Sequence, residues 1–356
     1  MKILILSKKD LFALNIIRCL SKTRMECHVF GQGKMWSIIL SKYCHKYVDC
    51  NFGTLQEPND SVIDRINDYC LKHKISFVIA GDYETSYFFS RIKNKLSFGI
   101  NAFPCSEPEK LRMLENKWEF SLLLEDLKLP YPRTVLVENT QQLSAVKMEF
   151  PRLVKPLCCE GGNVFDYIKH DQKAYLEIAQ SKPVFPLIVQ EFIPGIDVDL
   201  SILAHQGKIV AWSMQKWINR YTLQFFVSDE LLELGRRIVS ATNYEGVAHF
   251  DLRLDERDNS FKLIECNPRF WNSLRASWRN GVNFAELGLL LAAGENVVEQ
   301  NISKNIQYII PGMVFSELKK RNISILNKIP RATYVDLAQM LLDPLSFLCS
   351  LISRRL

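Results

Sequence analysis

Residues 249–270 read HFDLRLDERDNSFKLIECNPRF. Side chains on a strand alternate between faces, so Phe250, Leu252 and Leu254 share one side while His249, Asp251 and Arg253 share the other. In KLIECN, Ile264 and Cys266 fall on one face and Glu265 and Asn267 on the opposite one. The polar run Asp255–Ser260 between the two segments predicts an antiparallel hairpin. Joining the two apolar faces into one core brings Asp251, Glu265 and Asn267 together on the other side. Two converging carboxylates are costly unless a cation or a proton neutralises them. Hard oxygen donors select Mg²⁺ or Mn²⁺, and magnesium completes its shell with waters and phosphates. The same pattern also fits an exposed hairpin with a solvated acidic face.

Outward from this hairpin, the 356-residue chain has room for two or three domains. Its 47% hydrophobic and 24% charged residues suit a soluble globular protein. A net charge of +6, dispersed along the chain, argues for no nucleic-acid surface but suits an anionic ligand. The ten cysteines form no CxxC pair and no framework spacing, which predicts reduced thiols in a cytoplasmic protein and gives no zinc-type cluster. The first apolar run, KILIL, is too short for a signal peptide and reads as a buried strand.

Strands alternating with helices over residues 1–105 predict a parallel sheet covered on both faces. Without a GxGxxG after the first strand, a dinucleotide fingerprint is not expected. PEKLRMLENKWEFSLLLEDLKLPYPRT repeats its apolar positions at three and four residues, as one helical stretch does, and prolines end it. RLVKP is a strand leading into a turn at Gly161 and Gly162. Lys155 inside that apolar strand calls for an anionic partner, and glycines let backbone N–H groups approach phosphate. Two further strands meet near Gln206 and Gly207, after a break at Pro194 and Gly195.

In ordered succession over about residues 1–300, these motifs resemble the ATP-grasp superfamily. The matching segments are Asn116-Lys117 on the helical stretch, Pro132-Arg133-Thr134, Val154-Lys155-Pro156 through Gly162, QEFIPG at 190–195, and Asp251 followed by Glu265-x-Asn267-Pro268-Arg269. The resemblance extends to the ATP-binding fold of carbamoyl-phosphate synthase and biotin carboxylase. It implies a mixed α/β and α+β architecture: an N-terminal Rossmann-like parallel-sheet domain (1–105), then a two-lobed ATP-grasp domain (106–300). Its small lobe would span about 130–192 and its large lobe about 193–300, with 301–356 as a C-terminal helical extension.

By the same resemblance, Lys117 and Lys155 would hold the α- and β-phosphates of ATP, and Glu160, Gly161 and Gly162 would cover them as a lid. The backbone of Glu191 and Ile193 would meet the adenine edge, and Asp197 the ribose, a role Asp199 on the same strand face could equally fill. Asp251, Glu265 and Asn267 would bind Mg²⁺ or Mn²⁺, and Arg269 would act catalytically on the transferring group. The implied activity is an ADP-forming ligase that joins a carboxylate to an amine through an acyl phosphate. A bicarbonate-activating enzyme and a silent ATP-binding protein are the alternatives.

Some features depart from the pattern or lie outside it. Cys158, Cys159 and Glu160 precede the two glycines, where small residues are usual, and no AMKM-like biotin site follows. His249, Arg253, Lys216, Trp217, Arg220, Trp271 and Arg275 are candidates to line an acceptor pocket, with Arg220 or Arg275 gripping a small-molecule carboxylate, and each fits a structural ion pair equally well. The apolar tail VDLAQMLLDPLSFLCSLISRRL fits a helix packed on the domain or on a second subunit of a homodimer, and also one lying peripherally on a membrane.

Overall fold

The computed structural model describes residues 1–53, 58–158, 167–169, 175, 184–301 and 306–353. The chain begins with a five-stranded parallel sheet: β1 (Lys2–Ser7), β2 (Glu26–Gly31), β3 (Cys44–Asp49), β4 (Phe77–Ala80) and β5 (Asn101–Ala102), in the order β3-β2-β1-β4-β5. β1 is buried on both faces, which is why its sequence is continuously apolar and not alternating. The order reverses beside β1, where a doubly wound sheet opens a crevice at its carboxyl ends. There Asp82 accepts from Ser7 Oγ at 2.8 Å and from the Lys8 N–H at 2.6 Å.

The expected single helical stretch is two helices, Pro108–Glu115 and Lys117–Asp126. Asn116 leaves helical geometry (ψ 111°), and its side chain accepts from the N–H groups of Trp118 and Glu119. The break is a capped helix start, and it fixes Lys117 at the first turn of the second helix.

Four antiparallel strands follow: β6 (Thr134–Val137), β7 (Arg152–Pro156), β8 (Tyr167–Lys169) and β9 (Leu187–Glu191), ordered β6-β9-β7-β8. This sheet has its own small core of Val137, Leu143, Val154, Tyr175, Leu187 and Val189. Glu160, Gly161 and Gly162, expected as a phosphate lid, lie outside the described residues.

The large sheet contains β10 (Gly195–His205), β11 (Lys208–Asn219), β12 (Thr222–Phe226), β13 (Gly246–Asp255), β14 (Phe261–Asn267), β15 (Gln300–Asn301) and β16 (Gln307–Ile309). Its order is β14-β13-β10-β11-β12-β16, with β15 on β11. The turn at Gln206 and Gly207 has positive φ at both positions, as a tight hairpin requires. Gly195 joins the two lobes at φ +131°, and a Cβ there would stand 2.0 Å from the Leu254 carbonyl oxygen. The main core runs without interruption from the first sheet into the large one.

The chain after residue 300 returns to the large sheet as β15 and β16 before the helices Pro311–Lys319, Arg331–Leu341 and Pro344–Ser353. These helices dock on the body of the protein. Asp343 accepts from Ser41 Oγ (2.8 Å) and the Lys42 N–H (2.9 Å), with Arg18 Nη2 at 3.5 Å. Buried Asp336 takes Arg275 (2.9 Å), Arg279 and the Tyr308 hydroxyl. Arg275 is therefore a structural ion-pair partner, the second of the two roles its sequence left open. Among the described residues no helix is long and apolar enough to cross a membrane.

Candidate active site

The predicted hairpin forms, and Asp251 stands directly opposite Glu265, with His249 opposite Asn267. One feature differs. A bulge between Asp251 and Leu252 leaves Ile264 without a partner, so Leu252 pairs with Leu263. The extra residue shifts the alternation by one. Leu263 and Cys266 enter the core, while Ile264, expected on the apolar face, lines the cavity beside Glu265.

That cavity has a volume of about 760 Å³ and lies between the two lobes. Asp251, Ile264 and Glu265 form one side. Lys155 and Leu153 of β7 face them from the small sheet, and Glu191, Phe192 and Ile193 form the connection at the hinge. Asp197 and Asp199 enter from β10, and Trp217 and Arg220 from the end of β11 and the turn after it. Of the candidate acceptor residues, Arg253, Trp217 and Arg220 reach the cavity wall. Lys216 instead lies over the Phe226 ring, and His249 and Trp271 are buried and stacked on each other at 5.2 Å.

The two lysines converge on one carboxylate. Lys117 Nζ is 3.1 Å from Glu265 Oε2, and both Lys117 and Lys155 are buried. Burial works against the Glu265 charge, but the fields of Lys117 and Lys155 outweigh it and hold the carboxyl below its usual range. Asp251 is pushed the other way. Burial and the adjacent Glu265 charge raise it, against the His249 hydrogen bond that favours its ionised form. His249 Nε2 sits 3.4 Å from Asp251 Oδ1, and its Nδ1 meets Ser201 Oγ at 2.8 Å.

Asn267 presents its amide nitrogen to Asp251 Oδ2 at 2.7 Å, and its oxygen accepts from Arg269 Nη2 at 2.8 Å. Arg269 also donates to the Phe270 carbonyl at 2.9 Å and lies 4.9 Å from the Phe12 ring centroid. It is buried behind Asn267 and is not part of the cavity wall. The expected direct action on a transferring group is thus not what its placement supports; its hydrogen bond fixes which way the Asn267 amide points.

Asp197 and Asp199 have different surroundings. Asp199 is buried and accepts from Gln215 Nε2 at 2.7 Å and Trp217 Nε1 at 3.1 Å, and burial raises its carboxyl well above the usual range. Asp197 is the more exposed of the two, with Arg253 Nη1 at 2.5 Å. The Glu191 N–H donates to the Arg133 carbonyl at 2.9 Å and is therefore engaged within the small sheet. Its carboxylate holds Arg257 at 2.9 Å.

The residues missed in sequence are Gln215 and Ser201, which orient Asp199 and His249. Their signal was the alternation of polar residues along β10 and β11, which places Asp197, Asp199 and Ser201 on one face. The donor set fits a divalent ion. Asp251 and Glu265 provide carboxylate oxygens across one register pair, and a cation between them would offset both the burial and the neighbouring charge that raise Asp251. Ligating atoms of Asp199, His249 and Asp251 also lie within 4.8 Å of one another. An imidazole nitrogen is a poor magnesium donor, so His249 is better read as an ion-pair partner of Asp251.

The family model described as "ATP-grasp in the biosynthetic pathway with Ter operon" matches residues 184–310, from β9 through the hinge and the carboxylate hairpin to β16. Over those residues the chain matches an ATP-grasp family, and along most of its length it resembles that superfamily. Among ATP-grasp proteins, it is 25% identical over 207 residues to D-aspartate ligase of Enterococcus faecium, covering 48% of each chain. It is 22% identical over 242 residues to the carbamoyl phosphate synthase large chain of Clostridium acetobutylicum, covering 61% of this chain and 22% of that one. The chain thus spans about half the length, or less, of these curated relatives. The crystal structure of L-amino acid ligase from Bacillus licheniformis superposes with a TM-score of 0.62 at 17% identity, covering 82% of this chain and 73% of that one. The ATP-grasp fold is thereby shared along most of the molecule.

Proposed function

We propose that this ATP-grasp protein is an ATP-dependent ligase that joins a small-molecule carboxylate to an amine through an acyl phosphate, releasing ADP and phosphate. The observation that carries the reading is the register pair Asp251–Glu265, with Lys117 and Lys155 on Glu265, at the edge of an interlobe cavity. The likeness to D-aspartate ligase and L-amino acid ligase supports amino acids as the substrate class. The absence of a disulfide among the described cysteines suits a reducing, cytoplasmic setting.

In this reading the Glu191 carbonyl and the Ile193 backbone meet the adenine edge, and Asp197 meets the ribose. Lys155 and Lys117 hold the phosphates. Asp251 and Glu265 would hold a magnesium or manganese ion, which neutralises phosphate charge when bound, and Asn267 would join them through its oxygen on turning its amide away from Asp251. A substrate carboxylate oxygen forms a bond to the γ-phosphorus as the bond to the β-phosphate oxygen breaks, and ADP leaves. The amine lone pair then attacks the acyl carbon, the C–O bond to phosphate breaks, and the amine proton passes to water. Arg269 acts through Asn267 as a positioning residue.

The test is a screen of amino acids and small acids, in pairs, for ADP formation with ATP and Mg²⁺. The reactive carboxylate is then supplied with ¹⁸O. The acyl-phosphate route predicts label in the released phosphate. AMP as the product, or ADP release without label transfer, would overturn it.

A further inference from the structure

The start of the first sheet holds a second cluster of metal-ligating side chains, far from the carboxylate hairpin along the strands. Glu26 opens β2 and is paired in register with Lys2 at the opening of β1. The lobes of the ATP-grasp body meet this domain near its strands' other ends, where Phe12 and Asn15 contact Arg269 and Asn272. The register between β2 and β3 shifts at Cys27/His28, so Cys27 pairs with Cys44 and His28 with Lys46. His45 is the additional residue, and its imidazole reaches the Glu26 side chain.

We propose that Glu26, His28 and His45 form a binding site for a divalent transition cation of the zinc class. One ligating atom from each of the three lies within 4.8 Å of the others. Glu26 Oε1 is 2.7 Å from His45 Nε2 and 3.6 Å from His28 Nε2. Those separations bracket the spacing of about 3.3 Å between neighbouring donors in a tetrahedron with zinc–ligand bonds of about 2.0–2.1 Å.

A second observation concerns His28 alone. Its side chain is 1% exposed, and its Nδ1 is fixed by the Tyr69 hydroxyl at 2.8 Å. Its Nε2, aimed toward Glu26 and His45, has no hydrogen-bond partner among the described residues. At 3.6 Å the Glu26 oxygen is too distant for a hydrogen bond. A buried ring nitrogen held only by a long ion-pair contact to a carboxylate, with a second imidazole beside it, is an arrangement a cation would satisfy. The hydrogen bond at the far nitrogen is the kind that orients metal-ligating histidines.

Lys2 and His73 face the same cluster. Lys2 Nζ is 3.2 Å from Glu26 Oε1, the oxygen a cation would share with it, and His73 has its ring centroid 5.6 Å from that of His28. Three protein donors leave room for water in a fourth position.

The test uses the full chain freed of metal with a chelator and titrated with ZnCl₂ by calorimetry. Co²⁺ serves as a spectroscopic probe of the ligand field. The expected result is one tight equivalent that raises the melting temperature. Affinity falls by about 100-fold or more in His45→Ala and in Glu26→Gln. His45 is a half-exposed surface residue, so its truncation leaves the fold and ATP turnover unchanged. Asp251→Asn, which alters the nucleotide-side carboxylates, keeps the zinc equivalent. No binding, binding indifferent to both His45→Ala and Glu26→Gln, or loss in Asp251→Asn alone would overturn the proposal. The last outcome would place zinc at the hairpin and leave the ligase reading standing.

Discussion

The ammonium of Lys117 lies 3.1 Å from Oε2 of Glu265, joining the first turn of a helix to the last strand of the carboxylate hairpin. The resemblance assigns one residue to phosphate and the other to metal, yet here they neutralise each other. Nucleotide binding would therefore exchange partners: phosphate for Glu265 on the lysine, and a cation for Lys117 on the carboxylate. Glu265→Gln removes one ligand and frees a buried lysine charge. Turnover in this variant should fall on the order of 100-fold or more, about 2.7 kcal/mol of barrier, by steady-state ADP release. Unchanged turnover would remove Glu265 from the site.

Arg269 and Asn267 should behave as one unit. Because Arg269 reaches the site through the Asn267 oxygen, removing either loses the same orientation. A double-mutant cycle on kcat with Arg269→Ala and Asn267→Ala is expected to be non-additive, with the double variant close to the worse single one. Additive losses would mean that Arg269 touches the reacting groups by another route.

The hinge glycine has a clear steric role. Gly195→Ala would set a Cβ against the Leu254 carbonyl at a backbone angle that L-residues avoid. A loss of about 1–3 kcal/mol is expected from chemical denaturation. Stability within error of the parent would show that the β9–β10 connection can move aside.

The hairpin turn gives a pH dependence with a definite sign. Asp255 is paired with Arg257 through both carboxylate oxygens, and that hydrogen bonding, against burial, lowers its carboxyl below the ordinary range. A carboxyl lowered by folding stabilises above its unfolded value, about pH 4, and loses that contribution as pH falls through the folded value. Asp255→Asn should flatten the fall in melting temperature below about pH 4. A parallel curve in parent and variant would contradict the pairing.

Asp336 anchors the tail. Replacing it with Asn leaves the buried guanidinium groups of Arg275 and Arg279 without their carboxylate. Breaking such a pair costs about 3–5 kcal/mol, measurable by urea unfolding. A smaller change would mean that the tail detaches readily.

Sequence alternation was enough to bring Asp251 and Glu265 to one face, because His249 and Asp251, like Glu265 and Asn267, stand two residues apart. It failed at Ile264, where a bulge breaks the period and the adjacent apolar pair Leu263-Ile264 is its mark in the sequence. The capped break at Asn116 was hidden by an apolar spacing that continues across it. In sequence, Arg275 is open between substrate and a structural ion pair, because its partner, Asp336, is brought near only by tertiary folding. The zinc-type cluster was invisible for the same reason: Glu26, His28 and His45 come from two strands whose register shift sets His45 beside the others. Asn267 and Arg269 were legible as residues but not in orientation, which depends on the hydrogen bond between them.

The most direct measurement is calorimetric titration of ADP into the parent, Asp251→Asn and Glu265→Gln proteins, each with and without Mg²⁺. If the hairpin carboxylates hold the ion that accompanies the nucleotide, magnesium should tighten ADP binding in the parent and have little effect in either variant. Equal magnesium enhancement in all three proteins would contradict the assignment.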